Sequence, residues 1–386
     1  MTGRHAAMNL RAPAFAQVVA IGQYNMPSWD RYEAAMRDIF ERRYYTNQGP
    51  LARAFEERLQ DFVGVRHAVC VTNEAIGLMM ASEALGVRGS ALVPAVSNAA
   101  ALHAMAWCGV EAVVCDVDSM TGQMSVASLA ERLTTPVGAV FAANLWGGAC
   151  AAGALEDFAH SRGLPVLFDS AHAFGCEIGG RRVGTFGQVE VLAFSERDVL
   201  NAGGGACVTT DDDELAARLR NIRSSYGAGR PVAVVKTSNG RMSEAQAAIG
   251  LLSLDDYAAN RAHNRTLFDA YRTRLDAVRG LRVVEPASVD VSNHQALMCE
   301  IDEQVFGLTR DALIERLAAD NVEARPVIAA QGASADISGL TAAAHIGASW
   351  LMLPVGAHVS VPMVDTVCEI IGEASSRATH AGGERS

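Results

Sequence analysis

From residue 51 onward, short apolar runs alternate with segments of helical period. "HAVCVTN" (67–73), "SALVPAV" (90–96), "EAVVCDVD" (111–118), "VGAVFAANL" (137–145), "LPVLFDS" (164–170), "VEVLAFS" (189–195) and "GGACVTT" (204–210) read as strands rich in Val, Leu and Ala. Between the early ones lie "AIGLMMASEALG", "NAAALHAMAWCG", "SVASLAERL" and "GALEDFAHSRG", each with the spacing of a helix packed on one side. Runs that are apolar at nearly every position belong to strands covered on both faces. The pattern therefore predicts an α/β architecture, a large and mostly parallel sheet with helices on both sides. In such sheets ligands gather at the carboxyl ends of the strands, where "TNEA", "PAVSN", "FDSAHA" and "FSERD" fall.

The pattern then changes. "MSEAQAAIGLLSLDDYAANRAHNRTLFDAYRTRL" (242–275) is one long helical segment, and "NHQALMCEID", "TRDALIERLAADN" and "VDTVCEIIGEASS" read as a smaller α+β unit. The expected organisation is an N-terminal segment (1–29), a large domain (30–255), a small C-terminal domain (256–376) and a flexible tail (377–386).

With 386 residues, two cores are the natural expectation. The net charge of −11 argues against nucleic acid and anionic membranes as partners, since no basic stripe is available to displace counterions. The eight cysteines sit singly among apolar residues, with no CxxC and no zinc spacing, so no metal is expected and the thiols read as small buried hydrophobes. No run has the length of a membrane span, and "AFAQVVAIG" is too short for a signal peptide; a cytoplasmic protein is expected.

The order of four motifs carries a resemblance. "YYTNQGPLARAFEERLQDFVGVRHAVCVTN", "FDSAHAFGCEIGGRRVGTFG", "GGACVTTDDDELAARLRNIRSSYG" and "SNGRMSEAQAAIGLLSLDD" together resemble the DegT/DnrJ/EryC1/StrS sugar aminotransferases from about residue 40 to 275. The resemblance implies the type I aminotransferase fold, a homodimer with active sites at the subunit interface, and amino-sugar chemistry on nucleotide carriers with pyridoxal phosphate (PLP). It also implies roles for single residues. Asp169 matches the aspartate that pairs with the pyridinium nitrogen, His172 the residue three positions on, and Asn239 the asparagine that reaches the neighbouring subunit's phosphate.

Other matched positions depart from the family. The serine-x-histidine-x-x-lysine motif becomes Ala193, Ser195 and Asp198, so the Schiff-base lysine is a carboxylate here. The phosphate-cradling glycine-threonine pair becomes Glu74-Ala75, and the ring-stacking aromatic falls at Asn98. The chain's one lysine, Lys236, lies in another loop. An ionised Glu74 about 4 Å from a phosphate charge would cost roughly 4 kcal/mol at an effective dielectric of about 20. That is about a thousandfold in affinity, and it leads to the expectation that no cofactor is held.

Asp198, His172, Asp169 and Glu74 are then the catalytic candidates, with Asn98, Ser195, Trp146 and Asn239 as candidate pocket residues. Carboxyls beside one another or beside an imidazole shift each other's pKa values and suit acid–base work on a small molecule. The reading that follows is a PLP-independent enzyme of the isomerisation, dehydration or cyclisation type that reuses the pocket. Two alternatives stay open. One is a divergent nucleotide-sugar aminotransferase or dehydratase using PLP or its aminated form, pyridoxamine phosphate (PMP). The other is an inactive subunit paired with an active homologue.

Overall fold

The computed structural model describes residues 12–97, 99–224, 229–234, 236–328 and 339–383, with side chains through residue 376. Seven strands form the large sheet: β1 (His67–Val71), β2 (Ser90–Pro94), β3 (Glu111–Cys115), β4 (Ala139–Ala143), β5 (Val166–Asp169), β8 (Val189–Ala193) and β9 (Ala206–Thr210). A two-stranded hairpin, β6 (Glu177–Ile178) and β7 (Arg181–Arg182), lies between β5 and β8 in the chain. The sheet order is β1-β9-β8-β5-β4-β2-β3. Only the contacts of β9 with β1 and β8 are antiparallel. Every residue of β4, β5, β8 and β9 is buried, which is why their sequences show no polar alternation.

The second sheet is antiparallel throughout, in the order β10 (Leu281–Val284), β11 (Leu297–Ile301), β13 (Trp350–Leu353), β12 (Arg325–Pro326). Its core includes Leu297, Leu313, Leu351 and Val367. Val19 joins this core and bridges to Val322, so part of the N-terminal segment is packed on the smaller layer. The last helix runs Val361–Gly383 and extends through most of the tail expected to be flexible. No helix among the described residues is long and apolar enough to cross a membrane.

One 32-residue helix, Glu244–Leu275, serves both layers. Ala247, Leu254 and Tyr257 pack in a core beneath the large sheet, and Leu267, Phe268, Tyr271 and Leu275 pack under the small one. The domain limit expected at residue 255 falls inside this helix. Its start is fixed by a capping box: Ser243 accepts from Gln246 N, and Gln246 Oε1 accepts from Ser243 N. Its first residue, Glu244, is buried and caps another helix, Pro50–Val63, accepting from Leu51 N at 2.8 Å and Ala52 N at 3.0 Å. The N-cap there is Gly49, whose missing side chain makes room: a Cβ would lie 2.5 Å from Glu244 Cδ.

Candidate active site

Five strand ends of the large sheet, those of β1, β2, β4, β5 and β8, and the edge of the small sheet surround a cavity of about 350 Å³. Glu74, Ser97, Trp146, His172, Ser195 and Asp198 line it from the large sheet's side, and Arg325, Val327 and Met352 from the other. Each polar residue of the first group sits just past a strand end because the chain must leave the sheet there, turning through a loop or into a helix.

Asp169 is the last residue of β5 and is buried. Its Oδ1 accepts from Ala171 N at 3.3 Å, while Oδ2 has no hydrogen-bond partner. Glu74 opens the helix Glu74–Leu85, whose N-cap Asn73 accepts from Ile76 N at 2.9 Å. Residue Glu74 lines the cavity, and its carboxyl lies against that of Asp169. Burial, then the neighbouring charges of Asp169 and Asp198, pushes Glu74 well above the usual carboxylate range. Burial also pushes Asp169 up to about 6. The pair therefore retains a proton near neutral pH, and the proton belongs to both residues together.

Asp198 closes a tight turn after β8. Its Oδ2 accepts from Ser195 N at 2.7 Å and its own N–H donates to Ser195 O at 3.1 Å. Gln295 Nε2 donates to Asp198 Oδ1 at 3.0 Å, and burial pushes this carboxyl up to about 7. His172 lines the same cavity, its Nδ1 has no partner, and burial lowers the imidazole to about 4, so it is neutral. Trp146 does two things at once: it lines the cavity and packs its ring 5.7 Å from that of Trp350.

The structure thus gathers Glu74, Asp169, His172, Ser195 and Asp198 into one region, with Trp146 at its wall. Asn239 is elsewhere on this chain: it is exposed, does not line the cavity, and accepts from Arg241 Nη2 at 2.7 Å. Asn98 lies outside the described residues, between Ser97 and Ala99, which both line the cavity. Lys236 pairs with Glu83 at 3.5 Å and is not a lining residue. Sequence reasoning missed Gln295, which holds the Asp198 turn through Arg197 O (3.0 Å), Val199 N (3.0 Å) and Asp198 itself. Its only sequence signal was a polar side chain at the edge of an apolar strand.

A mostly parallel seven-stranded sheet, a smaller antiparallel layer and a cavity of carboxyls at the strand ends define the type I aminotransferase fold. The chain belongs to the DegT/DnrJ/EryC1/StrS aminotransferase family, which it matches over residues 30–372. It is 28% identical over 364 residues to dTDP-4-amino-4,6-dideoxy-D-glucose transaminase of Shigella dysenteriae, covering 92% of this chain and 98% of that one. It is 26% identical over 309 residues to the pyridoxal phosphate-dependent aminotransferase EpsN of Bacillus subtilis, covering 77% and 78%. Among solved structures, DesI in the presence of its TDP-sugar product superposes with a TM-score of 0.88 at 32% identity, covering 97% of each chain.

This membership overturns the expectation of a cofactor-free pocket, because the family is one of aminotransferases and its relatives here include a transaminase and a protein named for dependence on pyridoxal phosphate. The physical reason lies in Glu74. The repulsion argument took its carboxyl as fully ionised, whereas burial, then the charges of Asp169 and Asp198, push it well above the usual carboxylate range. A carboxyl that shares a proton with its neighbour presents less negative charge to the helix start, where N–H groups are left unused, and an anion is repelled less there. The unpartnered Asp169 Oδ2 is a buried acceptor suited to a pyridinium N–H. The residues present therefore fit a pyridoxal-type cofactor, with no lysine lining the cavity to bond it.

Proposed function

We propose that this protein binds its cofactor without a covalent link and acts on a nucleotide-linked sugar, by amino transfer or the related dehydration. The observation that carries this reading is the buried, unpartnered Oδ2 of Asp169 beside a cavity that no lysine lines. The nucleotide-sugar part is supported by likeness to the Shigella transaminase and to DesI with its TDP-sugar product. A cavity of about 350 Å³ is of the size that admits a small ligand, with both layers contributing walls.

Asp169 would hold the ring nitrogen, and the Glu74 end of its helix would face the phosphate. When bound, the cofactor ring withdraws electrons from the carbon that carries the transferred amine. The chain's own residues supply the rest. Asp198, pushed up to about 7, can take or release a proton at its carboxyl near neutral pH, the work a lysine amine does in relatives that have one. Ser195 N and Gln295 Nε2 fix that carboxyl in place. His172 stays neutral, so it adds no positive charge beside the ring. Trp146, backed by the ring of Trp350, forms part of one wall of the cavity.

The test is a titration of the purified protein with PMP and with PLP, followed by borohydride treatment and peptide mapping. Saturable binding without a borohydride-stable label is the expected result. A label on Lys236 would refute non-covalent binding, and no binding at saturating concentrations of either compound would refute the whole reading.

A further inference from the structure

Outside the strand-end cavity, a groove of about 530 Å³ lies between the Glu244–Leu275 helix and the loop that follows β10. The helix brings Arg261, Arg265, Asp269 and Arg272 to it, and the loop brings Glu285, Asp290, Ser292 and His294. Its three arginines and three acids balance in number but not in use. Asp269 pairs with Arg272 at 3.1 Å, and Glu285 faces the same guanidinium at 3.7 Å. Arg265 reaches Asp269 only at 3.8 Å, without a hydrogen bond. Asp290 accepts from Gly180 N at 3.1 Å. Arg261 is half-buried and has neither an ion pair nor a hydrogen bond among the described residues. It lies one turn from Arg265 and about 16 Å along the helix from Arg272, where two of the acids are engaged.

His294 joins the same wall. Its ring packs 4.8 Å from that of Phe268, and its Nδ1 is buried without a partner. Burial lowers the imidazole to about 4, and at its position the charge of Asp269 is opposed by those of all three arginines. The ring is therefore neutral and carries one N–H to give, in a place where cations outweigh anions.

We propose that this groove is a second ligand site, separate from the strand-end cavity, which takes a small molecule through a compact oxyanion, phosphate or carboxylate, seated between Arg261 and Arg265. Like charges one helical turn apart repel each other, and an anion between them turns that repulsion into two attractions. The guanidinium fork matches the paired oxygens of either group. Occupancy bears on the rest of the molecule through the loop. Ser292 Oγ donates to Gly147 O at 2.7 Å, next to Trp146, and Gln295 and Ala296, which follow His294, line the strand-end cavity. The two pockets thus share one stretch of chain as a wall.

The experiment is equilibrium dialysis of the full-length protein against radiolabelled inorganic phosphate and, separately, malonate, at constant ionic strength in chloride. Saturable binding of one of them, about one per chain and with a Kd of about 1 mM or below, is expected, and the anion that binds more tightly identifies the group. Arg261→Gln should weaken it at least about tenfold, and Arg265→Gln, at an exposed position, should weaken it as well. Asp290→Asn removes a carboxylate from the groove while keeping an oxygen for Gly180 N, and should tighten binding by about twofold, an effect that mere loss of structure does not produce. Failure of both anions to bind overturns the proposal. Binding unchanged in both arginine variants overturns it too, since the anion then sits elsewhere, and so does weaker binding in Asp290→Asn.

Discussion

Glu74 and Asp169 meet carboxyl to carboxyl, although they come from different ends of the large sheet's sequence: one begins the helix after β1, the other ends β5. A buried acid and a half-buried one in contact do not both ionise readily near neutral pH, so a proton is shared between them. That shared proton lowers the negative charge that the pair presents to a ligand.

The two halves of the pair are expected to differ under substitution. Glu74→Gln keeps a neutral donor and should change PMP affinity by less than about threefold. Asp169→Asn removes the charge that would face a pyridinium and should weaken it by about ten- to a hundredfold, one charged hydrogen bond. Calorimetric titration of both variants decides the point.

Stability should fall as pH rises through the neutral range. Burial raises Asp169 from 3.8 to about 6, Asp198 from 3.8 to about 7 and Glu190 from 4.5 to about 7. The folded protein therefore holds protons that the unfolded chain has released. Their stabilising contribution is complete below about pH 4 and disappears as pH climbs through about 6 to 7. The ligand-free protein should melt higher at about pH 5.5 than at pH 8, and Asp198→Asn should narrow the gap.

Glu244 is expected to be a structural residue of large effect. Glu244→Ala would leave Leu51 N and Ala52 N without their shared acceptor. The expected loss is about 2–3 kcal/mol by urea unfolding, the cost of orphaned donors at a helix start. Glu244→Gln, which keeps one oxygen, should lose less.

Glu56 and Arg223 form a buried ion pair at 2.6 Å, and both also bond Cys70, through its N–H and its carbonyl. Glu56→Ala strands a buried guanidinium and should cost about 3–5 kcal/mol. The double variant Glu56→Met, Arg223→Met should cost clearly less than the two single changes added together. Denaturant curves for Glu56→Ala, Glu56→Met, Arg223→Met and the double variant give the comparison.

All eight cysteines are free, and seven are buried, with Cys108 half-buried. Burial pushes its thiol above the usual range as well. A thiol reagent should label at most Cys108, slowly, on the native protein, and all eight after unfolding. Rapid native labelling at a second site would show that a core strand opens.

The large sheet was legible because its strands are buried on both faces, so "VFAA" and "VLFD" announced themselves as continuous apolar runs. The residues after them, Asp169, His172, Ser195 and Asp198, were legible for the same reason, since a strand end fixes where the chain must turn. Three features were hidden. Gln295, Arg325 and Met352 reach the cavity from the small layer, a placement set by packing between sheets. Glu190 lies within "VEVL" and looks like an outward polar position. In fact it is fully buried, accepting from Ser170 Oγ, from Gly184 N at 2.5 Å and from Phe186 N at 3.1 Å. The charge state of Glu74 was also hidden, because a residue letter does not carry its desolvation, and the expectation of an empty pocket leaned on it together with the missing lysine, serine and stacking aromatic.

The 32-residue helix from Glu244 to Leu275 is about 48 Å of continuous rod. Because its two ends are each anchored in a different core, it acts as a gauge that sets the spacing between the layers. Swinging those layers apart would require bending the rod or pulling one end from its core. Traffic into the cavity is thus directed to its exposed lining residues, Arg197, Pro326 and Ile328. A proline placed midway, at Ala259, should widen the gap between the walls and loosen every ligand alike, whatever its charge.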